Sequence, residues 1–142
     1  MYPHPNRLPR WLLSTLLVTG VLLLASGLLW DALHYFVGAG QSELAFPHPW
    51  EAPLMRLHGL AMIGFLFALG GLGPVHVPRG WRENRNTRSG VMLISAAVIL
   101  ALSGYALYYW VSEATRGWVG IAHTAVGALM ALALGVHALW RR

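Results

Sequence analysis

Cysteine and lysine are absent from this 142-residue chain. Without cysteine, the sequence cannot form a disulfide or hold a metal through thiolates. Charged side chains are also scarce, at 11% of residues, whereas 56% of residues are hydrophobic. A soluble domain of this size usually has about 25% charged residues. The composition therefore predicts an integral membrane protein.

Four hydrophobic runs lie between short connections, and each is close to the roughly 20 residues that a helix needs to cross the hydrocarbon core. They cover residues 11–36, 53–73, 90–111 and 117–140. We therefore predict four membrane-spanning helices in a single four-span domain over residues 1–142. Short connections between neighbouring helices are typical of antiparallel packing. The predicted fold class is an all-α membrane protein, an up-and-down four-helix transmembrane bundle.

The net charge of +5 comes from ten arginines and five acidic residues. Eight arginines lie before span one, between spans two and three, or after span four: Arg7, Arg10, Arg79, Arg82, Arg85, Arg88, Arg141 and Arg142. The positive-inside rule places such segments in the cytoplasm. We predict a multi-pass protein of the bacterial cytoplasmic (inner) membrane with both termini cytoplasmic. No nucleic-acid partner is needed to explain the basic balance.

The last span contains two histidines, His123 and His137, fourteen residues apart. On an α-helix this spacing is a rise of about 21 Å and a net rotation of only about 40°, so both imidazoles share one face at opposite depths. An imidazole in hydrocarbon needs a partner, and a metal is a common one. Gly127, one turn beyond His123, lets a flat group approach the backbone. The pattern predicts two haems of b type, held by side-chain ligation alone.

A low-spin b-type haem takes two axial nitrogens, which the helices of a bundle supply readily. His58 lies about as far into span two as His123 lies into span four. We therefore predict that His58 and His123 ligate an outer haem. Arg56 and Arg116 are the cations available to pair with its propionates. Alternatively, both are interfacial side chains whose guanidinium groups extend to the water phase.

The inner haem requires a second ligand beside His137. The candidates are His76 and, more remotely, His4. We favour His76, with a kink or unwinding at residues 73–74, or a tilt of span two, to absorb the longer rise between His58 and His76. Span three contains no histidine, and we interpret it as a packing element.

Asp31 and His34 lie at the outer end of span one, three residues apart and therefore on one helix face. One interpretation is an interfacial pair that faces water. The other is a functional site for a proton, a quinone headgroup or an alternative iron ligand. The sequence leaves both open.

Several segments resemble a smaller bacterial family of compact four-span cytochrome b-like proteins: RLHG at 56–59, PVHV at 74–77, RNTRSG at 85–90 and SGYALYY at 103–109. The histidine pattern of spans two and four also resembles that of four-helix di-haem cytochrome b proteins, which include formate dehydrogenase and hydrogenase membrane subunits and bacterial superoxide oxidase. The resemblance implies two bis-histidine haems. Those relatives take the fourth ligand from the start of helix one, where this chain has no histidine; His76 is the substitute.

Three functional interpretations follow. The first is a b-type cytochrome, an electron-transfer subunit that connects the quinone pool to an extramembrane redox protein at the outer face. It is favoured because almost no chain lies outside the predicted spans. The second is a free-standing quinone-linked oxidoreductase of the superoxide oxidase type. The third is a haem-free membrane anchor or a His-lined transport protein.

Overall fold

The computed structural model of the protein describes residues 9–37, 47–83 and 86–139. These residues are almost entirely helical, and none of them forms a strand. The elements are α1 (Arg10–Ala32), which continues as a π-helical turn (Leu33–Val37), α2 (Glu51–Arg82), α3 (Thr87–Tyr109) and α4 (Glu113–Leu139). The all-α prediction is confirmed for the described chain.

Each of the four helices is long and apolar enough to cross a membrane. The candidate spans are Arg10–Val37, Glu51–Pro74, Thr87–Tyr109 and Glu113–Ala138. Large apolar side chains on every helix are more than 60% exposed, among them Val21, Leu60, Leu102 and Leu132. Lipid tails are as apolar as these side chains, so a bilayer accommodates them without burial in protein. The prediction of four possible membrane spans is confirmed.

Helix α2 continues about two turns beyond the predicted end of span two. The sequence predicts that span two ends at residue 73 and that a kink or unwinding there, or a tilt of the span, absorbs the longer rise to His76, but the chain is helical through Pro74 and Pro78 to Arg82. The predicted end is wrong and residues 73–74 are not unwound; the kink and the tilt stay predictions. Arg79 Nε and Glu83 Oε1 lie 2.8 Å apart at the end of this extension, and an i,i+4 pair of this kind stabilises a final helical turn.

The helices form two hairpins, and each is described by itself. Unit 1 is Met1–Glu83, in which α1 packs on α2. The buried residues of α2 recur at spacings of three, four or seven: Glu51, Leu54, Ala61, Phe65, Ala68 and Leu72. This average period of 3.5 residues is typical of two helices that wind around each other. His58 falls on the same stripe, between Leu54 and Ala61.

Small residues allow α1 and α2 to approach closely. A methyl group at Gly20 would lie 3.6 Å from the Phe65 ring, and one at Gly64 would lie 2.9 Å from the Thr19 side chain. Helix pairs in membranes commonly use small residues at such contacts. Gly20 and Gly64 therefore lie at the contact between α1 and α2.

Unit 2 is Asn84–Arg142, in which α3 packs on α4. Its most buried apolar side chains are Ala97 of α3 and Met130 of α4. Arg116 holds the turn between the helices: its guanidinium donates to the carbonyl oxygens of Leu107 at 3.0 Å and Val111 at 3.3 Å. A basic side chain that binds the last carbonyls of a helix is a C-terminal cap.

Candidate functional site

His58 lies between α1 and α2 against the dipeptide Ser26–Gly27. Its Nδ1 is 3.0 Å from Oγ of Ser26, which is only 3% exposed. A methyl group at Gly27 would lie 3.4 Å from Cε1 of His58, so the imidazole packs directly on this glycine. The Ser26 hydroxyl also lies 2.6 Å from the carbonyl oxygen of Leu22, and the backbone of Leu23 is a further hydrogen-bonding partner of His58.

His123 has the same surroundings in the other hairpin. Its Nδ1 lies 2.8 Å from Oγ of Ser103 on α3. The next residue is again glycine, and a methyl group at Gly104 would lie 3.4 Å from Cε1 of His123. The Ser103 hydroxyl reaches the carbonyl oxygen of Leu100 at 3.3 Å. Unit 2 therefore repeats the arrangement found around His58.

His137 provides a third example at the opposite end of the same hairpin. Its Nδ1 lies 2.8 Å from Oγ of Ser89 in the first turn of α3, and that hydroxyl reaches the carbonyl oxygen of Asn86 at 3.0 Å. Ser89 is followed by Gly90. His58, His123 and His137 thus each contact a serine of the neighbouring helix through Nδ1.

The sequence analysis missed the serines, although a signal was present. The chain contains three Ser-Gly dipeptides, at 26–27, 89–90 and 103–104, and all three lie at these histidines. Ser89 and Ser103 are fourteen residues apart, the same spacing that separates His123 from His137. The interpretation of span three as a packing element agrees with the contacts of Ser103 and Gly104, and α3 also provides a polar contact to each histidine of α4.

The serine contacts determine which imidazole nitrogen carries the proton. A serine has one hydroxyl hydrogen. Because each of these serines lies close to a backbone carbonyl, which can only accept, the hydroxyl donates to the carbonyl and its oxygen accepts from Nδ1–H. This network assigns the Nδ1–H tautomer, with the lone pair on Nε2. Histidines that bind metals are commonly oriented in this way, with the second nitrogen donating to a nearby oxygen.

An apolar cleft of about 260 Å³ lies beside His123 between α3 and α4. Its lining consists of Ile99, Ser103, Trp118, Val119, Ala122, His123 and Val126. Most of these side chains are hydrocarbon, so the imidazole and the serine hydroxyl provide its polar character. The cleft has the composition of a site for a largely apolar group with one coordinating atom.

The other predicted haem residues are distributed as follows. Gly127 faces α3, where a methyl group would lie 3.8 Å from Leu100. Arg56 is exposed on α2. Arg116 is held by the α3–α4 turn and by Glu113, 3.2 Å away. His76 is half-buried on α2, two residues beyond the candidate span, which ends at Pro74.

At the end of α1, His34 pairs with a residue that the sequence analysis did not single out. Nδ1 of His34 lies 3.1 Å from Oε2 of Glu51, the first residue of α2. The other predicted member of this site, Asp31, is half-buried and interacts electrostatically with His58. The sequence analysis paired His34 with Asp31 because the two lie three residues apart on one helix face. In the structure, His34 instead contacts Glu51 of the neighbouring helix.

Within residues 9–37, 47–83 and 86–139, the His, Asp and Glu side chains form no group of three or more that suits a bare metal ion. A haem iron needs only two axial ligands from the protein, so the haem prediction rests on pairs of histidines. His4, the remote candidate ligand, lies outside the described residues.

No protein-family model matches the chain, and neither the curated proteins nor the solved structures provide a significant match.

Proposed function

We propose that this protein is a membrane b-type cytochrome that carries electrons between the quinone pool and a redox partner at the outer face. One observation carries the proposal: three histidines inside membrane-spanning helices each contact a serine through Nδ1. The contact assigns the neutral tautomer whose lone pair is on Nε2, which is the form that ligates iron.

The proposed ligand pairs follow from the depth of each histidine within its span. His58 and His123 bind the iron of an outer haem, and His137 with His76 binds an inner one. Each haem supplies a reversible one-electron carrier whose potential depends on ligation and burial. The chain's own residues orient the imidazoles and surround the outer site with hydrocarbon, as the cleft beside His123 illustrates.

The proposal also covers the membrane location of the protein and its redox partner. We place the protein in the bacterial cytoplasmic membrane as an up-and-down four-helix bundle, with the arginine-rich segments and both termini in the cytoplasm. The membrane arrangement resembles that of di-haem cytochrome b subunits, so the proposed partner is an extramembrane redox protein. Arg56, exposed two residues before His58, is the proposed cation for an outer haem propionate.

The experiment is a reduced-minus-oxidised spectrum of the purified chain, produced with adequate haem supply, together with a haem count per polypeptide. We expect two b-type haems in the wild type. His123→Ala removes the outer haem and His137→Ala removes the inner one, so each variant retains one. His48→Ala is the control, because His48 lies outside the candidate spans and contacts the backbone nitrogen of Trp50.

The alternatives predict other outcomes. A haem-free anchor or transport protein shows no visible absorption in any variant, which would end the cytochrome proposal. A free-standing oxidoreductase of the superoxide oxidase type binds haem and also reduces quinone without a partner protein. A wild-type chain with one haem that survives His137→Ala restricts the proposal to the site of His58 and His123.

A further inference from the structure

Glu51 is a carboxylate at the end of the hairpin of unit 1, and it is nearly inaccessible. It is 8% exposed, and among the residues that the structure describes it is the most buried charged one. Its Oε1 accepts a hydrogen bond from the backbone nitrogen of His48 at 3.1 Å, and its Oε2 lies 3.1 Å from Nδ1 of His34. A buried carboxylate requires partners of this kind, and an imidazole is one that can take up a proton.

His34 combines this buried contact with access to the surroundings. Its side chain is 46% exposed. Trp30 stacks on the ring at a centroid distance of 4.4 Å, and Tyr35 meets it edge-on at 5.0 Å. His34 belongs to the π-helical turn Leu33–Val37, a local widening of the helix that is frequent at functional sites. The imidazole is thus oriented on one side by Glu51 and reachable on the other.

The Glu51–His34 pair lies in line with His58. Glu51 and His58 occupy the same stripe of α2, seven residues apart, which corresponds to about 10 Å along the helix. On α1, Asp31 lies one turn before His34 and interacts electrostatically with His58. Charges about 10 Å apart still influence one another at the effective dielectric constant of about 20 that is typical near a protein surface. A negative charge gained near His58 therefore favours a proton at the pair.

We propose that Glu51 and His34 form a redox-linked proton site, which takes up a proton when the haem ligated by His58 is reduced. This inference rests on the proposed function. In the oxidised state, neutral His34 donates Nδ1–H to the Glu51 carboxylate. One electron then reduces the ferric iron to ferrous iron, and one proton from water binds Nε2 of His34 to give an imidazolium–carboxylate pair. Reoxidation releases the electron to the acceptor and the proton to water.

Other ionisable groups surround this pair. Asp31 and Tyr35 belong to the α1 side, and His48 and Arg56 to the α2 side. His48 contacts Glu51 through its backbone nitrogen, and its Nδ1 accepts from the backbone nitrogen of Trp50 at 3.3 Å. Glu51 and His34 are therefore the two that share a side-chain hydrogen bond, and the experiment is directed at them.

Glu51 also has a structural role that the experiment must separate from proton binding. Glu51 Oε1 accepts from the backbone nitrogen of His48, three residues earlier, and the amide oxygen of a glutamine can accept the same bond. Glu51→Gln retains this bond and removes the charge. His34→Gln, at a more exposed position, is a second variant that removes the proton acceptor. Glu83→Gln is the control, because Glu83 is an exposed carboxylate at the far end of α2.

The test is the midpoint potential of each haem as a function of pH, with proton uptake on reduction recorded by a pH-indicator dye. Coupling of one proton to one electron lowers the potential by up to about 59 mV for each tenfold fall in proton concentration. We expect a pH-dependent outer-haem potential in the wild type and in Glu83→Gln. In Glu51→Gln and His34→Gln the slope flattens, and proton uptake falls several-fold at unchanged haem content.

Failure of the proposed function and failure of the proton site give different experimental results. A wild-type chain without haem overturns the proposed function and this inference with it. A normal haem spectrum whose potential does not depend on pH overturns only the proton site. So does a wild-type slope that persists in both Glu51→Gln and His34→Gln, because the proton would then bind elsewhere.

Discussion

Oγ of Ser103 lies 2.8 Å from Nδ1 of His123 across the hairpin of α3 and α4. The contact makes Nε2 the basic nitrogen of this imidazole, at a level where the neighbouring surface is an apolar cleft. The same contact occurs between Ser89 and His137, two heptads away on both helices. The hairpin of α3 and α4 therefore repeats one polar contact at two depths.

Removing the serine hydroxyl should weaken the outer site without destroying the fold. In Ser103→Ala, His123 loses its Nδ1 partner and its orientation. Loss of such a supporting hydrogen bond typically lowers metal affinity by about 10- to 100-fold. We expect haem to be lost from this variant at lower concentrations of a competing haem acceptor than from wild type. Ser95→Ala is the control, because Ser95 is exposed on the same helix. Equal retention by both variants would contradict the assigned role.

A branched side chain at Gly104 should displace His123. A single methyl group there already lies at 3.4 Å from Cε1 of His123, so the additional methyls of valine overlap the ring. Gly104→Val is expected to lose the outer haem signal, whereas Gly117→Val should retain it, because nothing lies within 4 Å of a methyl group at Gly117. Haem count per polypeptide measures the difference. An unaltered count in Gly104→Val would show that the imidazole does not need this surface.

The packing of α1 on α2 should be sensitive at Ala68. This residue is 0% exposed in the interface of unit 1. Overpacking a filled contact costs about 1–3 kcal/mol, so Ala68→Leu should lower the free energy of unfolding in detergent by that amount. Ala52→Leu, at an exposed position of the same helix, should leave it nearly unchanged. The midpoint of thermal loss of helical circular dichroism compares the two; equal midpoints would argue against this interface.

Arg116 has two possible roles that one substitution separates. Its guanidinium binds the carbonyl oxygens of Leu107 and Val111, which a lysine cannot reach with the same fork. If the cap dominates, Arg116→Lys lowers stability by about 1 kcal/mol, the usual net value of a hydrogen bond, and leaves the haem potential unchanged. A shifted potential at wild-type stability would instead support the propionate role. Stability and potential are measured on the same preparation.

The sequence was sufficient to predict the helices because each span needs about 20 apolar residues, and that length is visible without any tertiary information. It was misleading at the end of α2, where Pro74 and Pro78 indicated a loop. Proline weakens a helix by removing one hydrogen bond, but the remaining bonds and the Arg79–Glu83 pair hold the extension.

The partners of the histidines could not be derived in the same way. Which serine contacts which imidazole depends on the register between two helices. The length of a hydrophobic run does not determine that register. The pairing of His34 with Glu51 was missed for this reason, since the sequence shows only neighbours along one helix, such as Asp31. The Ser-Gly dipeptides were a readable signal because two of them repeat the spacing of His123 and His137.

The two prolines of α2 also have a mechanical consequence. Neither has an amide hydrogen, so the carbonyl oxygens of Gly70 and Pro74 lose their usual donors one turn apart. We therefore expect the segment from Pro74 to Arg82 to bend more easily than the rest of α2. His76 lies between the two interruptions. We therefore expect the affinity of His76 for iron to vary with the acyl-chain length of the surrounding lipid, because bilayer thickness changes with chain length.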